Sequence, residues 1–389
     1  MADLRSIGAL RQAGPKLLSL MLALTALLFA AQAAFAQSPQ ANPNVRPPAN
    51  AMIPSAPPGG GMPQDGSTYD VELWKKLRQG VEGRVTIMDK KAGVLVDSSG
   101  ETWRSLRNGP LPTYGAYAMA AMLGLLVLFF LVRGRIRIEH GKSGKTIERF
   151  SNIERTGHWL LATSFIILAL TGLNVLYGRY VLIPVIGKEA FASLSMTAKW
   201  LHNYVAFAFI LGLLITFVLW LRHNFPAKED FVWLLKGGGM FSRGVHPPAR
   251  KFNAGQKILF WLIMLGGVSI VLSGLSLMFP YDLPMFAKTF SALNSLGFDL
   301  PTTLTPNEEQ QLASVWHAIM ALFLVCVILG HIYIGTIGME GAFDAMGSGQ
   351  VDTNWAKEHH SVWAQEELAR ANSPAGGPRA AGGRPVPAE

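Results

Sequence analysis

The chain has 389 residues, half of them hydrophobic and only 15% charged, with a formal net charge of +9. Soluble domains carry about 25% charged residues, so this composition excludes an ordinary soluble enzyme and points to a membrane protein. Basic residues then mark cytoplasmic loops rather than a nucleic-acid surface. The single cysteine, Cys326, excludes a disulfide framework, an iron–sulfur cluster and C-x-x-C-H haem attachment on this chain.

Residues 1–36 read as a secretory signal. Arg5, Arg11 and Lys16 form a basic start, Leu17–Ala31 an apolar core, and Ala34-Phe35-Ala36 a cleavage site before Gln37. An uncleaved signal anchor is the other reading, and both put Gln37 outside the cytoplasm. Residues 37–68 are rich in Pro, Gly, Asn, Gln and Ser, which predicts a disordered periplasmic linker. Residues 69–113 predict a small periplasmic segment. It has a short helix over Tyr69–Gln79, β-like runs at Gly83–Met88 and Gly93–Val96, and an ordered run at Glu101–Arg107. That segment is too small to be stable alone and carries no catalytic constellation.

Residues 116–132 (AYAMAAMLGLLVLFFLV) predict a leading transmembrane anchor helix without histidine or charge. Arg133, Arg135, Arg137, Lys142, Lys145, Arg149 and Arg155 follow it, a stop-transfer signal that sets this loop in the cytoplasm. Four more apolar segments cover about Trp159–Tyr177, Leu201–Leu221, Ile258–Phe279 and Val315–Ile337. The loop between the second and third of these holds Arg222, Lys228, Lys236, Arg243, Arg250, Lys251 and Lys257. The 178–200 loop holds Arg179, Lys188 and Lys199, and the 280–312 loop only Lys288. The basic loops are therefore expected in the cytoplasm and the other two in the periplasm. Residues 341–389 become a cytoplasmic tail with one amphipathic run before a Pro-, Gly-, Ala- and Arg-rich end. The expected location is a bacterial inner membrane, crossed several times.

The last apolar segment carries two histidines, His317 and His331, fourteen positions apart. That is roughly 21 Å along a helix and nearly four whole turns, so both lie on one face. Polar side chains inside a membrane helix are costly and usually have a role. Two stacked bis-histidine haem sites would need such a helix and two partner histidines. His158 opens one apolar segment and His202 another. Topology puts His202 and His317 near the periplasmic side and His158 and His331 near the cytoplasmic side. The bland alternative makes all four interhelical hydrogen-bonding residues; their pairing by depth speaks against it. His223, just past a membrane segment, rivals the inner ligands. His140, His246, His359 and His360 read as solvated loop residues. Gly172, Gly212, Gly266, Gly267, Gly274 and Gly330 suit either close helix packing or a flat macrocycle between helices. Cys326 reads as a small packing residue.

From about Arg149 to Glu367 the chain resembles the gamma, or cytochrome b556, subunit of the respiratory formate dehydrogenases. The stretches ERTGHW, LTGL, LHN, RHNFPAKEDFVWLL, KFNAGQKILFW, WHAIMAL, GHIYI and WAKEHH carry the resemblance. It implies an all-α membrane protein, with a dihaem four-helix transmembrane bundle over residues 149–340. The leading anchor helix and the small periplasmic segment are additions to the short form of that family. The resemblance implies two b haems as cofactors, His158 and His331 holding the inner iron and His202 and His317 the outer one. It also implies a quinone site at Asn253 and Gly255, beside His331.

The implied function is an electron-transfer subunit, itself not catalytic towards formate. Its partners would be an alpha subunit with molybdenum or tungsten, a beta iron–sulfur subunit, quinone and membrane lipid, with no nucleic acid. Electrons from formate oxidation in the periplasm would reach the outer haem, then the inner haem, then quinone, with protons taken from the cytoplasm. Cytochrome b subunits of nickel–iron hydrogenases and thiosulfate reductases share a dihaem bundle and form the alternative; KFNAGQK and WAKEHH favour the formate branch. A haem-free membrane anchor is the third reading.

Overall fold

The computed structural model describes residues 83–84, 94–96, 99–242, 244–279 and 282–372. The expected signal peptide, linker and Tyr69–Gln79 helix lie outside the described residues. Strands β1 (Gly83–Arg84) and β2 (Val94–Val96) pair antiparallel, where two β-like runs were expected. The run at Glu101–Arg107 is helix α1 (Ser99–Asn108). Helix α2 (Pro110–Arg133) is the leading anchor, with proline at its first position, where a missing N–H costs nothing.

Four further long helices follow: α3 (Asn152–Val181), α4 (Ile183–Trp220), α6 (Ala254–Met278) and α8 (Pro306–Tyr333). Short helices α5 (Lys228–Leu235) and α7 (Met285–Asn294) lie in the connections. Among the described residues five helices are long and apolar enough to cross a membrane. Beyond α8 come a π-helical turn at Ile334–Gly338 and helix α9 (Asp344–Gly347). Strand β4 (Gln350–Asp352) and helices α10 (Thr353–His359) and α11 (Ser361–Asn372) complete the described residues.

Three long helices begin with related devices. At α3 the Glu154 carboxylate accepts from the Ser151 backbone N–H at 2.9 Å. At α8 Glu308 accepts from the Thr305 N–H at 2.7 Å, and Thr305 Oγ1 accepts from the Glu308 N–H at 3.3 Å. At α6 Asn253 Oδ1 accepts from the Gln256 N–H at 2.9 Å, and Gln256 Oε1 from the Asn253 N–H at 3.1 Å. At α6 and α8 these are capping boxes and at α3 the carboxylate half of one; each satisfies backbone donors that a helix start leaves orphaned.

The 178–200 stretch, expected as a loop, is helical apart from the turn at Leu182 and Gly187, which adopts φ 78°. A hydropathy reading stops where side chains turn polar, but the helix continues through Lys188, Glu189 and Ala190 to the apolar part of α4. The other helices outrun their apolar cores for the same reason.

Backbone contacts divide the chain into two compact units. Of the described residues, the first takes those up to 123, with 170–203 and 269–323. Within it Gly115 lies under Leu322 and Tyr177, so close that a Cβ would meet Leu322 at 2.5 Å and the Tyr177 hydroxyl at 2.7 Å. Tyr177 donates to the Pro112 carbonyl at 2.9 Å, and Trp103 Nε1 to Ser314 Oγ at 2.7 Å. The buried Glu309 carboxylate accepts from the Phe286 and Ala287 N–H groups and so caps α7.

The second unit takes, of the described residues, 124–169, 204–268 and those from 324 on. Here α3 and α4 pack backbone to backbone. A Cβ on Gly212 would come within 2.8 Å of Leu161 Cα, and one on Gly157 within 2.7 Å of Ile215. Strand β3 (Thr146–Glu148) pairs antiparallel with β4, Ile147 opposite Val351. The first turn of the chain beyond the membrane helices is therefore tied down. Residues 350–372, part of the expected cytoplasmic tail, belong to this unit.

Candidate functional site

The first unit holds His202 on α4 and His317 on α8. Their ring centroids are 6.2 Å apart and the planes cross at 66°. Behind each ring stands a hydroxyl on a neighbouring helix. Thr171 Oγ1 lies 2.7 Å from His202 Nδ1, and Ser273 Oγ lies 3.1 Å from His317 Nδ1. Ser273 also donates to the Ser269 and Ile270 carbonyls of its own helix. Its one proton is thus committed, so it accepts from His317 Nδ1–H. That fixes the tautomer and leaves His317 Nε2 with a free lone pair.

The two hydroxyls sit in matching sequences, Leu170-Thr171-Gly172-Leu173 on α3 and Leu272-Ser273-Gly274-Leu275 on α6. In each the glycine follows the hydroxyl and faces the histidine. A Cβ on Gly172 would lie 3.5 Å from the His202 ring, and one on Gly274 3.2 Å from that of His317. Sequence reasoning noted the glycines but missed Thr171 and Ser273. The repeated L-[ST]-G-L pattern, on two apolar helices, was the signal that would have found them.

The second unit holds His158 on α3 and His331 on α8. Their centroids are 6.1 Å apart and the planes cross at 67°, nearly the same as the other pair. The Trp220 ring lies 6.3 Å from His158 at a shallow tilt. His223, the rival, is on the short turn Leu221–His223, where its Nε2 accepts from Arg222 Nε at 3.0 Å. Its nearest ring partner is Phe252 and not another histidine.

Both histidines of this pair line a cavity of about 1260 Å³. Ligand pockets usually measure about 300–1,000 Å³, so this one exceeds the needs of a single small molecule. Asn253, Gly255, Trp233 and Gly330 share its wall. A Cβ on Gly255 would come within 2.9 Å of Trp233, so any side chain there would displace that indole. Asn253 Oδ1 is committed to the α6 cap; its amide nitrogen is the group left to meet a ligand.

The glycines separate by role. Gly212 and Gly267 let side chains and backbone of neighbouring helices approach, whereas Gly172 and Gly274 make room for imidazoles. Gly330 lies in the cavity wall.

The tail is anchored by Arg149, expected as a loop charge but buried, at 3% exposure. Its guanidinium lies 5.2, 5.3 and 5.0 Å from the Phe150, Trp355 and Trp363 rings. Arg149 Nη2 donates to the Lys251 carbonyl at 2.7 Å and to His360 Nε2 at 2.9 Å. His360 Nδ1 donates to the Arg250 carbonyl at 2.8 Å. His360, expected to be solvated, is 1% exposed. Its place inside WAKEHH gave no periodic sign of burial; the aromatic cage around Arg149 is what encloses it.

Burial pushes the His360 imidazole well below its usual range, and the adjacent Arg149 charge adds to this. Burial also lowers Arg149, to about 9. Released from the cage, His360 would take up a proton below about pH 6.5, whereas the docked ring stays neutral. Docking of α10 and α11 is therefore fully present above that pH. It weakens as pH falls, by about 1.4 kcal/mol per unit. Amide protection factors, corrected for the slower intrinsic exchange at low pH, should fall over residues 353–372 between pH 7.5 and pH 5 more than those of the long helices. An equal change in protection everywhere would contradict it.

Among the described residues no three His, Cys, Asp or Glu side chains gather where they could hold a metal ion. Each histidine pair offers two imidazole donors, fewer than a bare transition-metal ion takes in a protein site.

Residues 149–349, more than half of the chain, match the family of prokaryotic cytochrome b561. The chain is 29% identical over 224 residues to the nitrate-inducible formate dehydrogenase cytochrome b556(Fdn) subunit of Escherichia coli strain K12. That alignment covers 57% of this chain and 92% of the relative. It is 27% identical over 226 residues to the formate dehydrogenase cytochrome b556(fdo) subunit of the same strain, covering 58% and 95%. It is 26% identical over 217 residues to the formate dehydrogenase cytochrome b556 subunit of Haemophilus influenzae, covering 55% and 80%. With its five apolar spans and this match, the chain is a multi-pass membrane protein that belongs to the prokaryotic cytochrome b561 family, a family of haem b proteins.

Proposed function

We propose that this chain is the dihaem cytochrome b subunit of a formate dehydrogenase and carries electrons from a periplasmic partner to quinone. The observation that carries this reading is the duplicated histidine pair, with nearly equal separation and angle at both sites. It occurs in a chain that aligns with most of the length of formate dehydrogenase cytochrome b556 subunits.

The residues fit haem b at both sites. Ring centroids 6.1 and 6.2 Å apart leave room between each pair of imidazoles for one metal atom at about 2 Å from a nitrogen of each. His202 and His317 would hold one haem, and His158 and His331 the other. Bound there, haem b supplies one-electron transfer at a potential set by its ligands and their hydrogen bonds. Thr171 and Ser273 orient the outer imidazoles through Nδ1 and leave Nε2 facing the metal. Gly172 and Gly274 keep the neighbouring space clear of side chains.

The inner cavity supports a quinone beside the His158/His331 site, since its volume exceeds that of one ligand. The Asn253 amide nitrogen would donate to a quinone oxygen, while Gly255 lets Trp233 close over the ring. The partners are a molybdenum or tungsten alpha subunit and an iron–sulfur beta subunit. In the orientation that the basic loops favour, residues 37–113 are periplasmic and the C-terminus is cytoplasmic.

The test is a reduced-minus-oxidised spectrum of membranes carrying the chain with its neighbours. Formate should reduce a b-type signal of two haems per chain, and an added quinone analogue should reoxidise it. Haem that hydrogen reduces and formate does not would replace this reading with a hydrogenase subunit. No b-type signal would leave a bare anchor.

A further inference from the structure

The second unit contains two buried polar atoms that lack partners and lie near one another. His158 Nδ1 and Thr216 Oγ1 are both buried without a hydrogen bond. Thr216 is 4% exposed, and both residues line the large cavity. A buried hydroxyl left unsatisfied costs about 1–3 kcal/mol. A threonine inside a helix usually bonds the carbonyl one turn back. Thr216 does not, so its oxygen is available as an acceptor.

The register of α3 against α4 brings the two residues level. Gly157 faces Ile215, Leu161 faces Gly212 and Phe165 faces Phe209. A Cβ on Gly157, next to His158, would lie 3.9 Å from Thr216 Oγ1. In the first unit the same two helices set Thr171 behind His202, with the roles of the helices exchanged. There α3 gives the hydroxyl and α4 the histidine. Here α4 gives the hydroxyl and α3 the histidine.

We propose that Thr216 is the positioning residue for His158: with haem seated, Nδ1–H donates to Thr216 Oγ1, as His317 does to Ser273. This rests on His158 being an iron ligand. The two residues stand level on α3 and α4, and Thr216 Oγ1 lies 3.9 Å from where a Cβ on the adjoining Gly157 would be. It fixes the His158 tautomer with Nε2 towards the metal and strengthens the imidazole as a donor to ferric iron. Removing the acceptor therefore favours the ferrous form.

The experiment uses the whole membrane complex with Thr216→Val, which keeps the shape and removes the hydroxyl. Haem is counted from the pyridine haemochrome, and the two midpoint potentials are measured by redox titration. The expected result is that one potential rises by about a tenfold change in the ferric/ferrous equilibrium, ~59 mV, while the other stays. Loss of one haem, with both retained in Thr216→Ser, supports the same conclusion. Thr216→Ser should titrate as the unmodified protein does. Unchanged potentials in Thr216→Val would overturn the proposal, as would a serine variant that behaves like the valine variant. His158→Ala run alongside separates the two inferences. Both haems retained there would sink the ligand assignment, whereas one haem lost there with Thr216→Val unmoved would sink only the role of Thr216.

Discussion

Replacing His317 with alanine should leave one haem b per chain instead of two, with the formate-to-quinone path broken. His317 lies 6.2 Å, ring to ring, from His202, and its Nδ1 is held by Ser273 at 3.1 Å. Alanine removes one of the two imidazoles that would hold the outer haem and leaves His202 without its ring partner. His158 and His331 are paired with each other and keep their own wall of Trp220 and Phe260. The pyridine haemochrome should therefore halve per chain. Dithionite should still reduce the remaining haem, and formate should not, if electrons enter at the outer site as proposed. Loss of both haems would mean that the two sites assemble together. Loss of neither would remove His317 from the ligand set.

Gly212→Val should prevent the haem-bearing bundle from assembling. A Cβ at this position meets the Leu161 backbone, Cα and N both at 2.8 Å. Backbone cannot rotate aside as a side chain does, so α3 and α4 must part. Overpacking costs about 1–3 kcal/mol where side chains can adjust; here the separation also pulls Phe165 from Phe209 and strips contacts behind His158. The expected result is little or no b-type signal and a chain that is degraded in the membrane. Gly124→Val on α2 is the control, because a Cβ there meets nothing within 4 Å. It should assemble with full haem. Normal haem in Gly212→Val would show that the close approach of α3 and α4 is dispensable.

Much of the molecule was legible before any coordinates. Apolar runs located the five spans, because lipid demands about 20 apolar residues per helix. The period of 3.6 put His317 and His331 on one face. The alternation of basic and non-basic loops matched His202 with His317 and His158 with His331, and these are the pairs whose rings meet. The capping pairs Ser151–Glu154, Thr305–Glu308 and Asn253–Gln256 were also present as local patterns, although hydropathy alone placed those helix starts too late.

The sequence by itself thus determined what local periodicity and solvent preference control: the number of spans, the placement of His317 and His331 on one helix face and the family motifs. Only the tertiary structure decided which hydroxyl stands behind which imidazole. Thr171 and His202 are distant in sequence, and no local rule joins two residues on antiparallel helices until their register is known. The same holds for Arg149 and His360. Each reads as a solvated charge or loop residue until β3 pairs with β4 and three aromatic rings from separate elements close around the guanidinium. The glycines belong to this class too. Whether Gly212 serves packing and Gly274 serves an imidazole depends on what lies opposite, which composition does not record.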